Sequence, residues 1–219
     1  LLRPCVDSHT VLIPVMNGIE AGDRLRELFP DSIVCDALIY TNTGSNADYS
    51  ASQIGSYTYV CLGSRLKGER YQKSAEELYQ LLQDTKLDVR YSEDIWSEIW
   101  QKYVLNCAVN TVTARYIITS GEIRKKETMK SDLYALLTEA YKVGIQEGVC
   151  LPDDLVEQKY QFMMEKQAKD ATSSLKRDVE AHRPTELDAF LGALLRKAAK
   201  NQIAVPVAER YYREISAML

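Results

Sequence analysis

Ile99-Trp100-Gln101-Lys102-Tyr103-Val104-Leu105-Asn106-Cys107-Ala108-Val109-Asn110-Thr111-Val112-Thr113-Ala114 is a largely apolar run carrying Lys102, Asn106 and Asn110 at intervals of four. A helix turns about 100° per residue, so each step drifts only about 40° and the three polar side chains line one face over about 12 Å. Lysine and asparagine are costly to bury without partners, and asparagine is a poor helix former, so the stripe has the shape of a small-molecule site. On spacing alone, a solvated stripe on an amphipathic helix is the alternative.

Downstream of this run every periodic segment reads as helix. Ser92 with Glu93 and Asp94 supplies a cap and acidic first turn for the helix that carries Lys102. Ser131 opens a second helix with Leu133, Leu136, Leu137 and Ala140 on its core face, closed by Gly148 and Pro152. Pro152 starts a third, reaching about Lys169. Thr185-x-x-Asp188 resembles a capping box before the stripe Leu187, Phe190, Leu191, Leu194, Leu195 and Ala198. Pro206 falls in the first turn of a final helix with Tyr212, Ile215 and Leu219 along one side.

Upstream the pattern alternates between strand and helix. Val11 to Val15 reads as a strand followed by the turn signal Asn17-Gly18 and a helix through Leu25 and Leu28 to Phe29. Ile33 to Tyr40 and Tyr57 to Leu62 read as strands, with Asn42, Gly44, Ser45 and Asn46 as loop between them. A helix from Ala75 to Leu82, with Leu78, Leu81 and Leu82 on one face, leads to a last strand at Leu87-Asp88-Val89. The expected fold class is therefore α/β plus all-α, with α/β at 1–91 and helices at 92–219.

Composition narrows the function classes. The 219 residues are 46% hydrophobic and 26% charged, as in an ordinary globular protein, and the net charge of -4 argues against nucleic acid or an anionic membrane as main partner. No apolar run approaches a membrane span and no signal peptide opens the chain, so the expectation is a cytoplasmic protein. Five cysteines without a C-x-x-C pair fit buried thiols rather than a disulfide frame or a metal site. With only His9 and His182 available, an acid or base falls to Lys, Asp, Glu or Tyr.

Two further clusters are candidates. Ser173-Ser174, Asp178 and Arg183-Pro184-Thr185-Glu186-Leu187-Asp188 gather polar groups, although Glu186 fits simple capping and the two serines fit a helix start. Asn17-Gly18 follows a strand, where open α/β sheets bind ligands and glycine lets a ligand approach the backbone; a plain turn is the alternative. None of the glycines forms G-x-G-x-x-G or a P-loop.

Ile13-Pro14-Val15-Met16-Asn17-Gly18-Ile19, the run Ile99 to Ala114, the run Ser173-Ser174 to Asp188 and Ala204-Val205-Pro206 together resemble the ketopantoate reductase (2-dehydropantoate 2-reductase) family, in order and in spacing, from near residue 1 to residue 219. The resemblance implies an N-terminal Rossmann domain for NADPH, its Gly-rich first half preceding Leu1. It also implies a helical C-terminal domain like that of 6-phosphogluconate dehydrogenase, used for substrate binding and dimerisation. By this likeness Lys102 is the proton donor and Asn106, Asn110 and Ser174 bind the substrate. Asn17, with Gly18, touches the nicotinamide end of NADPH, and Glu186 binds the nicotinamide ribose or the substrate hydroxyl. Thr41 stands where a small residue near the cofactor is common, and Ser120 where an Asn joins the substrate site. The implied activity is NADPH-dependent reduction of ketopantoate to (R)-pantoate by a homodimer, on the path to pantothenate and coenzyme A. A related 2-oxo acid reductase or β-hydroxyacid dehydrogenase, and a non-catalytic helical dimerisation module, are the alternatives. Hydride addition builds negative charge on the carbonyl oxygen, and a desolvated ammonium stabilises that charge and supplies the proton.

Overall fold

The computed structural model describes residues 2–41, 43–45, 48–53 and 58–219; Asn42, Asn46 and Tyr57, expected in loop and strand, lie outside them. The chain divides into two compact units, Leu1–Ile99 and Trp100–Leu219.

In the first unit, strand β1 (Val11–Leu12), helix α1 (Ala21–Leu28) and strand β2 (Ile33–Val34) form a parallel βαβ unit with Val11 opposite Ile33. The strand expected to reach Val15 stops at Leu12. Cys35 N–H donates to the Leu12 carbonyl, and the next donor along the ladder would be Pro14, which has no N–H. The apolar stretch from Ile33 then breaks at Cys35, and β3 (Asp36–Tyr40) joins a different sheet.

Where loop was expected at Gly44 and Ser45, β4 (Thr43–Ser45) pairs antiparallel with β5 (Ala51–Gln53), and the two short strands satisfy each other's backbone groups. β6 (Tyr59–Gly63) lies antiparallel to β3, and α2 (Glu69–Gln83) leads to β7 (Val89–Tyr91), which is parallel to β6. Helix α2 begins at Glu69, six residues before the expected Ala75, and packs Tyr71, Ala75, Leu78, Tyr79 and Leu82 at helical spacing around Ile33, Cys35, Ala37, Leu62 and Val89. Leu81, expected on one face with Leu78 and Leu82, is exposed, and the strand expected from Leu87 starts at Val89.

The long helix α3 (Ile95–Tyr116) starts three residues after Ser92. Ser92 N–H is committed to the Leu62 carbonyl as an extension of the sheet, and Asp94 provides the cap by accepting Ser97 N–H at 3.1 Å. In the second unit α4 (Ser120–Ile123) opens with a Thr119–Glu122 capping box, and α5 (Glu127–Gln146) begins four residues before the expected Ser131. α5 ends in a Schellman motif: Gly148, at φ +77°, donates to Ile145 and Val149 to Gly144.

α6 (Leu155–Gln161) starts one turn after Pro152 and runs into a π-helical turn at Phe162–Lys166. α7 (Ser174–Glu180) follows, then a second π-helical turn (Asp188–Gly192) continuous with α8 (Ala193–Lys200), and α9 (Pro206–Ser216) with proline in its first turn. The core face of α9 is Ala208, Tyr211 and Ile215, one position off the expected Tyr212, and Leu219 is exposed. Cys35, Cys61 and Cys107 are buried as expected, whereas Cys5 and Cys150 are exposed. Among the described residues no helix is long and apolar enough to cross a membrane.

Candidate active site

Helix α3 is the buried axis of the helical unit. Trp100, Tyr103, Val104, Cys107, Ala108, Val112 and Ala114 are all buried around its circumference, as its nearly uniform apolar character demands. Its polar stripe is enclosed with it. Lys102 is 9% exposed and Asn110 7%, with Asn106 half-buried, which rules out the solvated alternative for the first two.

The partners of Asn110 explain how it tolerates burial. Its Oδ1 accepts the Leu175 N–H and the Ser174 hydroxyl, each at 3.3 Å, and its Nδ2 donates to the Asn106 carbonyl at 2.9 Å. The first-turn donors of a helix lack intrahelical partners, so Asn110 both satisfies α7 and fastens it to α3. One turn on, Thr113 Oγ1 lies 2.7 Å from Ser173 Oγ, and Ser173 in turn caps α7 by accepting Lys176 N–H at 3.0 Å. Ser173 is thus the helix start, while Ser174 turns its hydroxyl onto the stripe.

Lys102 carries the largest electrostatic consequence. Burial pushes its ammonium down from 10.5 to about 8, and the nearby Glu186 carboxylate pulls in the opposite direction. Glu186 is half-buried, and its carbonyl accepts the first helical bond from Phe190 N–H at 3.1 Å. The capping box expected at Thr185 and Asp188 does not form. Asp188 instead pairs with Arg196 at 2.7 Å, and Thr185 reaches only Leu187 N–H at 3.5 Å. Lys102, Asn106, Asn110, Ser174 and Glu186 therefore belong to one neighbourhood of α3, α7 and the start of the second π turn. Ser120 is buried at the start of α4, its N–H on the Ala171 carbonyl two residues before the α7 cap.

The other candidates lie in the first unit. Gly18 has φ +96°, a left-handed conformation that favours glycine, close behind β1 and next to the buried Ile19. Asn17 is half-buried, and exposed Thr41 places Oγ1 3.2 Å from Thr58 Oγ1.

Three contributors were not singled out from sequence. Thr113 extends the stripe at i+3 from Asn110, a signal that was present. Tyr103, whose hydroxyl donates to the Phe190 carbonyl at 2.5 Å, sits in the apolar run with nothing to mark it. Glu139, on the core side of α5, accepts Val207 and Ala208 N–H at 2.9 and 2.8 Å and so caps α9 from another helix; its partners lie 68 and 69 positions away.

Residues 94–218, more than half of the chain, match the family model described as ketopantoate reductase PanE/ApbA C terminal. An uncharacterised oxidoreductase of Bacillus subtilis, YkpB, is 26% identical over 98% of this chain and 70% of its own length. A 2-dehydropantoate 2-reductase of Vibrio cholerae is 25% identical over 99% of this chain and 71% of its own length. The chain thus spans about 70% of the length of these relatives. The ternary structure of D-mandelate dehydrogenase with NADH and anilino(oxo)acetate has the same fold, with a TM-score of 0.87 at 20% identity over 99% of this chain and 70% of that one.

Proposed function

The chain belongs to the ketopantoate reductase family, and from that premise we propose that it carries the substrate side of an NADPH-dependent 2-dehydropantoate 2-reductase, with Lys102 as proton donor. The burial of Lys102 on a polar stripe, with its ammonium lowered to about 8, carries the reading. A donor with that titration is still charged at neutral pH and gives up its proton more readily than an exposed lysine.

NADPH, when bound, would supply the hydride that the carbonyl carbon of the 2-oxo acid takes up. Lys102 stabilises the charge growing on the carbonyl oxygen and transfers a proton to it, which leaves a hydroxyl on the product and a neutral amine on the enzyme. Asn106 and Ser174 orient the carboxylate and hydroxyl of the substrate, Asn110 holds Ser174 in place and adds its own carboxamide, and Ser120 borders the site. Glu186 keeps Lys102 protonated and binds the substrate hydroxyl or the nicotinamide ribose. Gly18 suits the close approach of a nicotinamide, since its φ of +96° after a parallel strand leaves backbone where a side chain would be strained. Asn17 and Thr41 complete the cofactor side, and the working form is a cytoplasmic homodimer. In this reading residues 1–91 serve as the later part of a Rossmann-type domain and residues 92–219 as the substrate and dimerisation domain.

The test is turnover by the full-length protein. Lys102→Ala is expected to cut kcat by about 10²–10⁴ with the fold retained, as for loss of a general acid. Ketopantoate with NADPH should exceed both aromatic 2-oxo acids and NADH. A clear preference for an aromatic 2-oxo acid would shift the reading to a related reductase, and unchanged turnover in Lys102→Ala would refute the role of the lysine.

A further inference from the structure

Tyr103 follows Lys102 in α3 and is buried, packed edge-on against Trp100 at 5.3 Å between ring centres. Its hydroxyl donates across 87 positions to the Phe190 carbonyl at 2.5 Å, and the Cys107 thiol hydrogen-bonds to the same hydroxyl. Phe190 N–H in turn donates to the Glu186 carbonyl at 3.1 Å. Two hydrogen bonds therefore run from the neighbour of Lys102, through both faces of one peptide-bearing residue, to the backbone of Glu186.

Phe190 lies inside the π-helical turn Asp188–Gly192. Such a turn widens the helix and tilts carbonyls away from its axis, where an outside donor can reach them, and π turns of this length recur at functional sites. A phenylalanine at position 103 would fill the same space against Trp100. The hydroxyl adds the bond to the turn and the contact with the Cys107 thiol on its own helix.

We infer that Tyr103 is a positioning residue: through the Phe190 carbonyl it fixes the π-helical turn that sets the Glu186 carboxylate against the Lys102 ammonium. This rests on the reading of Lys102 as proton donor. The role is separate from packing, because it acts on the titration of a neighbouring lysine rather than on the fold. Glu186 is the charged group that raises Lys102 against the effect of burial, so any loosening of the turn moves Lys102 further down.

The test is a double-mutant cycle on full-length protein, following the ¹³Cε resonance of Lys102, assigned by its loss in Lys102→Ala. Tyr103→Phe is expected to lower the Lys102 titration by about half a unit or more and kcat by about tenfold, with KM within about twofold. Glu186→Gln should lower the titration as well, and Tyr103→Phe added to Glu186→Gln should move it no further. Tyr103→Met, which also lacks the hydroxyl but packs differently, must give the same titration, so a misfolded Tyr103→Phe leaves the question answerable. A Lys102 titration unchanged in the hydroxyl-free variants, or lowered equally in the Glu186→Gln background, overturns the inference. Full turnover in Lys102→Ala would instead defeat the proton-donor reading while leaving the titration cycle interpretable.

Discussion

Lys102 on α3 and Glu139 on α5 are buried to nearly the same degree, 9% and 8% exposed, and burial pushes each toward its neutral form. Their surroundings give opposite answers to the same cost. Glu139 meets the Val207 and Ala208 N–H groups at the start of α9, where Pro206 precedes them with no N–H of its own. A carboxylate at a helix N-terminus satisfies orphan donors and faces the positive end of the helix, so Glu139 acts as a bolt between α5 and α9. Lys102 is lowered by burial, with the charge of Glu186 opposing, and titrates within reach of neutral pH. A buried charge cradled by backbone holds a fold together; one left able to exchange its proton suits the role proposed for Lys102.

The largest effect that would break this contrast is on catalysis. Lys102→Met is expected to remove about 10²–10⁴ of kcat, measured with ketopantoate and NADPH, while the fold gains stability. The sign follows from linkage: the folded lysine is lowered to about 8, so the native state bears the full cost of a buried charge below that pH. Unfolded chains bind the extra proton between about 8 and 10.5, so wild-type stability rises with pH across that window. Lys102→Met lacks that rise and should be more stable at pH 7 by about 1–3 kcal/mol in urea unfolding.

Glu139→Ala should do the reverse. Leaving one buried and one half-buried donor unsatisfied is expected to cost about 2–4 kcal/mol, measured by the same unfolding experiment, with kcat per folded molecule unchanged. If Glu139→Ala abolished catalysis in protein that remained folded, the division between bolt and proton donor would fail. Because its folded pKa is raised, the ionised Glu139 weighs on the fold as pH climbs through that value, so relief of its burial is greatest in acid.

A smaller effect sharpens the surroundings of Lys102. Gly144 on α5 lies against Trp100 and Leu151, and an added Cβ would come within 2.9 Å of both. Gly144→Ala is expected to cost about 1–2 kcal/mol by overpacking, and to lower kcat less than it lowers the thermal midpoint.

The helical unit was legible because one period dominates it. Leu133, Leu136, Leu137 and Ala140 repeat at helical spacing and are buried, and the interval of four from Lys102 to Asn110 survives as one stripe, buried at both ends and half-buried at Asn106. What spacing could not supply was its burial, since the groups that cover it, Ser174 and Leu175, arrive more than sixty positions later. Helix starts shifted for local reasons. Ser92 looks like a cap, but its N–H belongs to the sheet and Asp94 takes the role. Neither π turn carries a mark in the sequence. Each depends on a donor from elsewhere, Arg124 to the Met163 carbonyl at 2.8 Å in the first and Tyr103 to Phe190 in the second. In the first unit the short strands carry weak alternation, and Pro14 ended β1 where apolar composition alone extended it.

The most direct measurement is the titration of Lys102 by ¹³Cε resonance in full-length protein, set beside the alkaline limb of kcat/KM for ketopantoate reduction. The limb reports the free enzyme's essential acid. Both should fall at about 8 and move down together in Glu186→Gln. A lysine that titrates near 10.5, or a limb that stays in place when Lys102 moves, would contradict the assignment of Lys102 as the proton donor.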